Sequence, residues 1–302
     1  MRLKIDNLYI SVQKVDRAVF PIASIAERYP VPKPSKLTSD NDKRRIRAMV
    51  VSALEEAANS GHTFLPCNIL IDRVQNMTLE PACDVTPDMI LAIEPFMKNE
   101  VIKREMADGT EYYKLKRLND FDEVIEKRVT ARLKANRLDV KADWRKKLDE
   151  EFSRFDKGKP ISKEEELARN EKAAVLKVLA ESRLSVLVGG AGTGKTTVLS
   201  ILCKEEAISK HGVLLLAPTG KATVRLVEGV GKNFEAYNVA QFLTKMGRFD
   251  WYDMRYRLSN DFAHDIPETV IIDEASMLTE EMFGALLQTI AKAKRIIIVG
   301  DL

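Results

Sequence analysis

Residues Ser185–Thr197, SVLVGGAGTGKTT, constrain this chain more than any other stretch. The apolar run Val186, Leu187 and Val188 reads as a buried strand and stops at two glycines. Lys195 then opens a helical pattern through Val198, Leu199, Ile201 and Leu202. Strand, glycine loop and helix, with the spacing Gly189-x-x-x-x-Gly194-Lys195-Thr196, separate a phosphate-binding loop from a chance match. Because its glycines carry no Cβ to block the approach, the loop can turn successive backbone N–H groups across Gly189, Gly190, Ala191, Gly192, Thr193 and Gly194 inward around phosphate oxygens. The helix N-terminus adds partial positive charge. Lys195 can reach the β- and γ-phosphates, the Thr196 hydroxyl can hold Mg²⁺, and Thr197 completes the nucleotide-binding set. The plain alternative is a glycine-rich turn in an ordinary α/β domain.

A length of 302 residues suits about two domains. Lys and Arg total 48 against 45 Asp and Glu, a net charge of only +3, so any case for nucleic acid must rest on local sites. No run approaches the roughly 20 apolar residues of a membrane span. The start, MRLKIDNLYISVQK, lacks a signal-peptide core. Both points predict a cytoplasmic location and no membrane partner. Cys67, Cys83 and Cys203 form no C-x-x-C pair, so buried thiols are expected rather than zinc or disulfides.

Near the N-terminus, Val15, Ala18, Val19, Ile22 and Ile25 mark a helix face, broken by the proline-rich YPVPKPSKLTSDND. Ile46, Met49, Val50, Ala53, Leu54 and Ala57 predict a strong helix from Lys43 that stops at Gly61. Helices follow over Cys67–Met77 and Pro87–Lys98, the second capped by Thr86. VIKREMADGTEYYKLKRL reads as a hairpin turning at Asp108-Gly109. Three helices and a hairpin make a winged-helix pattern. Lys103, Arg104, Lys114, Lys116 and Arg117 on the hairpin suit phosphate contact, although such cations are usually just solvated, and winged helices also serve as structural and docking modules. Phe121–Phe155 reads as one helix or two, charge-dense toward a boundary at Gly158-Lys159-Pro160.

From Ser162 strands alternate with helices, the signature of a parallel sheet covered on both faces. Ser185–Val188, Gly212–Ala217, Thr269–Asp273 and Arg295–Asp301 are expected as central strands whose C-terminal ends carry the chemistry. Asp273 and Glu274 close one of them. Beside a phosphate loop, Asp273 suits the Mg²⁺ shell and Glu274 suits polarising the attacking water. Taken alone, such an acidic pair could equally cap the next helix.

Gly189–Thr197, Ala217–Leu226, Asp273–Met277 and Val299–Asp301 look like motifs I, Ia, II and III of superfamily 1 helicases. They most resemble the RecD-like group, the exodeoxyribonuclease V alpha-subunit family. DKRRIRAMVVSALEEAANSGHTFLP, with the winged-helix-like region after it, is similar to the segment before the ATPase core in stand-alone RecD-like helicases. The resemblance implies an α/β RecA-like P-loop NTPase domain preceded by a mainly α winged-helix-like region. Residues 1–43 would be a helical remnant of a helix-hairpin-helix region, 44–119 the winged helix, 120–161 a charged helical connector, and 162–302 an incomplete first motor domain. It further implies ATP and Mg²⁺ as cofactors, 5′ to 3′ movement on single-stranded DNA, and repair or recombination proteins as partners. Pro218, Thr219, Gly220 and Lys221 fall on the motif that touches the single-strand backbone, where their chemistry suits phosphate. Their plainer role is a tight strand-to-helix turn. Gly300 and Asp301 open the motif that couples nucleotide state to DNA.

The chain departs from the family pattern in three places. Glu171, or Asn170 if the alignment slips, stands where the family has an adenine-reading glutamine, and a carboxylate cannot make an amide's two-sided contact. Asn238 keeps a polar group, as a DNA-binding candidate, where a Thr-Ile-His-like run is usual. The chain also stops at Leu302 as the third motif opens, which predicts a fragment whose second motor domain is missing in cis and which unwinds nothing alone. The aromatic residues Phe249, Trp251, Tyr252 and Tyr256 suit either packing or base stacking. Two rivals stand beside the helicase reading: a P-loop ATPase of another class acting on protein, and a nucleotide-gated DNA-binding module without catalysis.

Overall fold

The computed structural model describes residues 3–5, 8–156, 161–190, 192–259 and 265–301. They form two compact units, Met1–Asp120 and Phe121–Leu302.

In the first unit the helix Lys43–Asn59 buries Ile46, Met49, Val50, Ala53, Leu54 and Ala57 along one stripe. The Asp42 carboxylate caps it by accepting from the Arg44 N–H, and Arg44 in turn holds that carboxyl well below its ordinary range. At the other end Gly61 takes a φ of +87°, which lets the His62 N–H return to the Ala57 carbonyl at 2.9 Å. Cys67–Gln75 and Pro87–Met97 pack against this helix, and Thr86 caps the latter by accepting from the Met89 N–H at 3.3 Å. Val101–Glu105 and Glu111–Leu115 pair antiparallel across the Asp108-Gly109 turn, and Leu65–Pro66 adds a third strand. The result is a winged-helix arrangement.

The expected N-terminal helix face is instead two short helices, Val12–Val19 and Ala23–Arg28, with Ile22 and Ile25 exposed. A polar contact anchors the first of them. The Arg45 guanidinium donates to both oxygens of Asp16 at 2.8 and 2.7 Å, and also to the carbonyls of Asp40, Pro81 and Ala82.

The second unit is built on five parallel strands in the spatial order Leu184–Val188, Arg295–Gly300, Thr269–Ile272, Val213–Ala217, Glu235–Asn238. Alternate residues feed two cores. Val213, Leu215, Ile271 and Ile297 face one layer, formed with Trp144–Asp156, Lys163–Glu181, Lys195–Lys204 and Gly220–Val230. Leu214, Leu216, Val270, Ile272 and Ile296 face the other, with Val239–Lys245 and Glu280–Thr289. Helices thus cover both faces, as expected of a RecA-like domain.

The topology differs from the expected one in two ways. The strand before the glycine loop is not central: it lies at the sheet edge, with Val186 62% and Val188 48% exposed. An apolar run alone does not distinguish edge from centre. The strand Glu235–Asn238 went unrecognised, since EAYN is short and mixed. The charge-dense segment expected as a connector belongs to the second unit. Trp144 and Leu148 bury themselves there with Leu176, and the buried Arg169 reaches Asp149 at 3.1 Å and Glu165 at 2.9 Å. Among the described residues no helix is long and apolar enough to cross a membrane.

Candidate functional site

Strand register places the sequence motifs side by side along one edge of the sheet. Val188 pairs with Gly300, Ile272 with both Ile298 and Leu216, and Ala217 with Asn238. The residues just beyond these C-terminal ends are Gly189, Asp301, Asp273 and Pro218, so one row joins segments more than a hundred residues apart in sequence.

Backbone geometry explains the glycines of the loop. Gly192 and Gly194 take φ of +79° and +89°, a region that costs other residues roughly 1 kcal/mol or more. A Cβ at Gly189 would come within 2.9 Å of the Thr193 hydroxyl, which donates to the Gly190 carbonyl. Ala191 lies outside the described residues. The Lys195 ammonium folds back over the loop, donating to the carbonyls of Gly189 at 2.5 Å and Gly190 at 3.0 Å, and to Asp301 at 2.5 Å. Thr196 is exposed at the first turn of the helix Lys195–Lys204, while Thr197 is half-buried.

One residue near the loop went unnoticed in the sequence. A Cβ at Gly229, in the helix Gly220–Val230, would lie 2.1 Å from the Thr196 methyl, so this glycine sets how closely the two helices cross. An isolated glycine inside a helical pattern was the available signal.

Asp273 follows the strand Thr269–Ile272, its N–H held by the Leu216 carbonyl at 2.8 Å. Its carboxylate accepts from the Glu274 N–H at 3.0 Å. Burial pushes the Asp273 carboxyl up, and Asp301 adds to this, while the Glu274 N–H and the Lys195 charge pull the other way. Glu274 itself sits in the left-handed region at φ +50°, a strained conformation for a side-chain-bearing residue.

The polar groups on the neighbouring strand ends are engaged in capping. Thr219 accepts from the Ala222 N–H at 3.2 Å and so starts the helix Gly220–Val230. Asn238 accepts from the Gln241 N–H at 2.7 Å and starts Val239–Lys245. Gly220 and Lys221 are exposed, and Pro218 is half-buried. Glu171 is exposed on the helix Lys163–Glu181, and the preceding Asn170 accepts from Arg145 at 2.7 Å. The aromatic residues divide. Phe249 and Tyr256 pair across a small hairpin with ring centres 5.0 Å apart, while Trp251 and Tyr252 stand 66% and 65% exposed at its tip.

In the first unit the hairpin cations have internal partners. Lys103 pairs with Glu111, Arg117 with Glu55 and Lys116 with Asp120, Arg104 reaches Asn119, and Lys114 is buried. The helix Pro87–Met97 contains no basic residue.

A parallel sheet sandwiched by helices, with a glycine loop and an acidic strand end side by side, defines a RecA-like P-loop nucleotide-binding domain. Comparison with known proteins refines the class. Residues 166–302 match the family described as AAA domain. The chain is 30% identical to the RecBCD enzyme subunit RecD of Mycolicibacterium smegmatis, over 43% of this chain and 27% of that protein. It is 33% identical to the ATP-dependent RecD2 DNA helicase of Deinococcus radiodurans, over 43% of this chain and 17% of that protein. A longer similarity, 27% identity over 85% of the chain, links it to an uncharacterized protein of Methanocaldococcus jannaschii. The P-loop region is therefore similar to the corresponding part of RecD and RecD2 proteins. The chain spans about a quarter of the length of the curated relatives it matches.

Proposed function

We propose that this chain binds Mg-ATP at the row of strand ends and contributes its hydrolysis to movement on single-stranded DNA. The observation that carries the reading is the convergence of Lys195, Asp273 and Asp301 beside a loop in which Gly192 and Gly194 take positive φ. The β- and γ-phosphates take the place of the two loop carbonyls and Asp301 around the Lys195 ammonium. Thr196 and Asp273 offer hard oxygen donors, one exposed and one half-buried, which suits Mg²⁺. Bound there, the ion would neutralise charge on the β- and γ-oxygens. Glu274 orients the attacking water and accepts its proton.

Single-stranded DNA meets the other half of the row, at Lys221 and the exposed Gly220, with Thr219 and Asn238 shaping the turns as helix caps. Gly300 and Asp301 link the two halves, because Asp301 touches the phosphate lysine. The winged-helix hairpin is not assigned to DNA, since its cations are internally paired. Glu171 stays a candidate for contact with the base.

The test is nucleotide turnover by the natural full-length protein, with and without single-stranded DNA. Stimulation by DNA that Lys195→Ala abolishes is the expected result. A rate indifferent to DNA would favour an ATPase acting on protein, and turnover unchanged in Glu274→Gln would favour the non-catalytic DNA-binding module.

A further inference from the structure

The end of the sheet opposite the glycine loop carries a concentration of arginine. Between Lys127 and Arg137 the sequence has five cations and no carboxylate, against a net charge of only +3 for all 302 residues. Arg128 and Arg132 lie one turn apart near the end of the helix Lys116–Lys134. Arg183 stands immediately before the strand Leu184–Val188, at its N-terminal end. All three are half-buried, and all belong to the second unit.

Arg132 holds the group together. Its Nη1 donates to the Arg183 carbonyl at 3.4 Å. Its Nη2 donates to the Ala291 and Ile290 carbonyls at 3.1 and 3.4 Å, where the helix Glu280–Thr289 ends. The Arg183 Nε in turn donates to the Asn136 carbonyl at 2.8 Å. Among the described residues neither Arg132 nor Arg183 pairs with a carboxylate, so carbonyl dipoles steady these charges without cancelling them. Burial acts against the Arg132 charge, and the charges of Arg128 and Arg183 add to it, bringing its pKa down to about 10. At neutral pH it is still a cation, crowded by two others. Charges taken this far from water are normally paired, yet Arg132 and Arg183 have only neutral partners among the described residues.

We propose that Arg128, Arg132 and Arg183 form a contact for backbone phosphates of single-stranded DNA, separate from the row of strand ends. The proposal rests on the reading of single-stranded DNA as the polymer this chain binds. Guanidinium forks match phosphate oxygens two at a time, and a fork already pinned by carbonyls loses little freedom when a phosphate arrives. Position argues against a small ligand shared with the glycine loop. From Arg183 to Gly189 the strand runs about 20 Å, at about 3.3 Å per residue. A stacked strand with one phosphate per about 3.4 Å covers that distance with about six, so one polymer can meet both ends of the sheet. An acidic protein segment offers carboxylates to the same arginines but has no second contact at the row.

Fluorescence anisotropy of labelled single-stranded DNA against the full chain, over a range of salt concentrations, tests this. With Arg128→Gln and Arg183→Gln combined, affinity at low salt should fall by about three- to tenfold. The slope of log K against log salt should flatten by about 1.4, since each phosphate contact on a single strand carries about 0.7. Arg128→Lys with Arg183→Lys keeps both charges and should retain the wild-type slope. Binding of inorganic tripolyphosphate, read by calorimetry, should stay within about twofold in both variants, because the glycine loop is at the far end of the sheet. Thermal melts check that the domain is folded. An unchanged salt slope in the glutamine variant overturns the proposal. So does polyglutamate that binds the wild type as tightly as DNA and is lost from the glutamine variant, which would assign the cluster to an acidic protein segment. A wild-type chain that binds no DNA would remove the DNA reading itself, and this contact with it.

Discussion

Lys195 and Asp301, 106 residues apart, meet at 2.5 Å across the end of the sheet. The Asp301 carboxylate therefore holds the same ammonium that a polyphosphate needs. It also places a negative charge where phosphate charge would gather. Asp301→Ala should tighten binding of inorganic tripolyphosphate by about two- to fivefold, the scale of a half-exposed ion pair. Calorimetry at fixed ionic strength reads this directly. Weaker or unchanged binding would mean that the pair orients Lys195 rather than competing for it.

Asp273 sets function against stability. Burial raises its folded-state pKa above the value it would have in an unfolded chain, so the folded protein binds the proton more tightly. Stability associated with this group is therefore lost as pH rises from the ordinary carboxylate range through the raised folded value. Asp273→Asn removes that penalty. At neutral pH the variant should melt higher than wild type, and the difference should shrink as the pH falls through the folded pKa. Nucleotide turnover should be abolished. A variant that melts lower at neutral pH would show that the carboxylate's hydrogen bond outweighs its burial.

Gly229 sits where the second helix crosses the first turn of the loop helix. Alanine there improves helix propensity by about 1 kcal/mol, but its Cβ would fall 2.1 Å from the Thr196 methyl. Overpacking of this kind costs about 1–3 kcal/mol, so Gly229→Ala should lower stability and displace the Thr196 hydroxyl. Denaturant melts and magnesium-dependent nucleotide binding are expected to weaken together. Loss of neither would mean that the helices shift apart freely.

In the first unit, Arg45 and Asp16 form a pair with side chains only 1% and 3% exposed. Removing one partner strands the other in the interior, at a cost of about 3–5 kcal/mol. Asp16→Ala should fall at the lower end, because Arg45 keeps three carbonyl partners. A urea melt reads the loss. A change under about 1 kcal/mol would mean that water reaches the vacated guanidinium.

The elements that short-range physics dictates were legible in the sequence. The Lys43–Asn59 helix follows from a 3.6-residue apolar stripe and a glycine stop, and the Asp108-Gly109 hairpin from a turn that needs positive φ. The loop at Gly189–Thr196 follows from glycines, a lysine and a threonine at fixed spacing between an apolar run and a helix. Each is a local pattern, because the groups that satisfy it lie within a few residues of one another.

Tertiary structure decided the rest. An apolar run says that a strand exists but not which neighbour it pairs with, so the edge position of Leu184–Val188 and the pairing of Glu235–Asn238 needed the assembled sheet. Charge density near Trp144 suggested a solvated linker, yet one buried face of that helix was enough to bring it into the second unit. The contacts of Lys195 with Asp301, Gly229 with Thr196 and Lys172 with Phe152 join segments from different helices and strands. No spacing rule encodes such contacts. The chain by itself determined that a phosphate loop would form, and the order of strands in the sheet determined which side chains would stand around it.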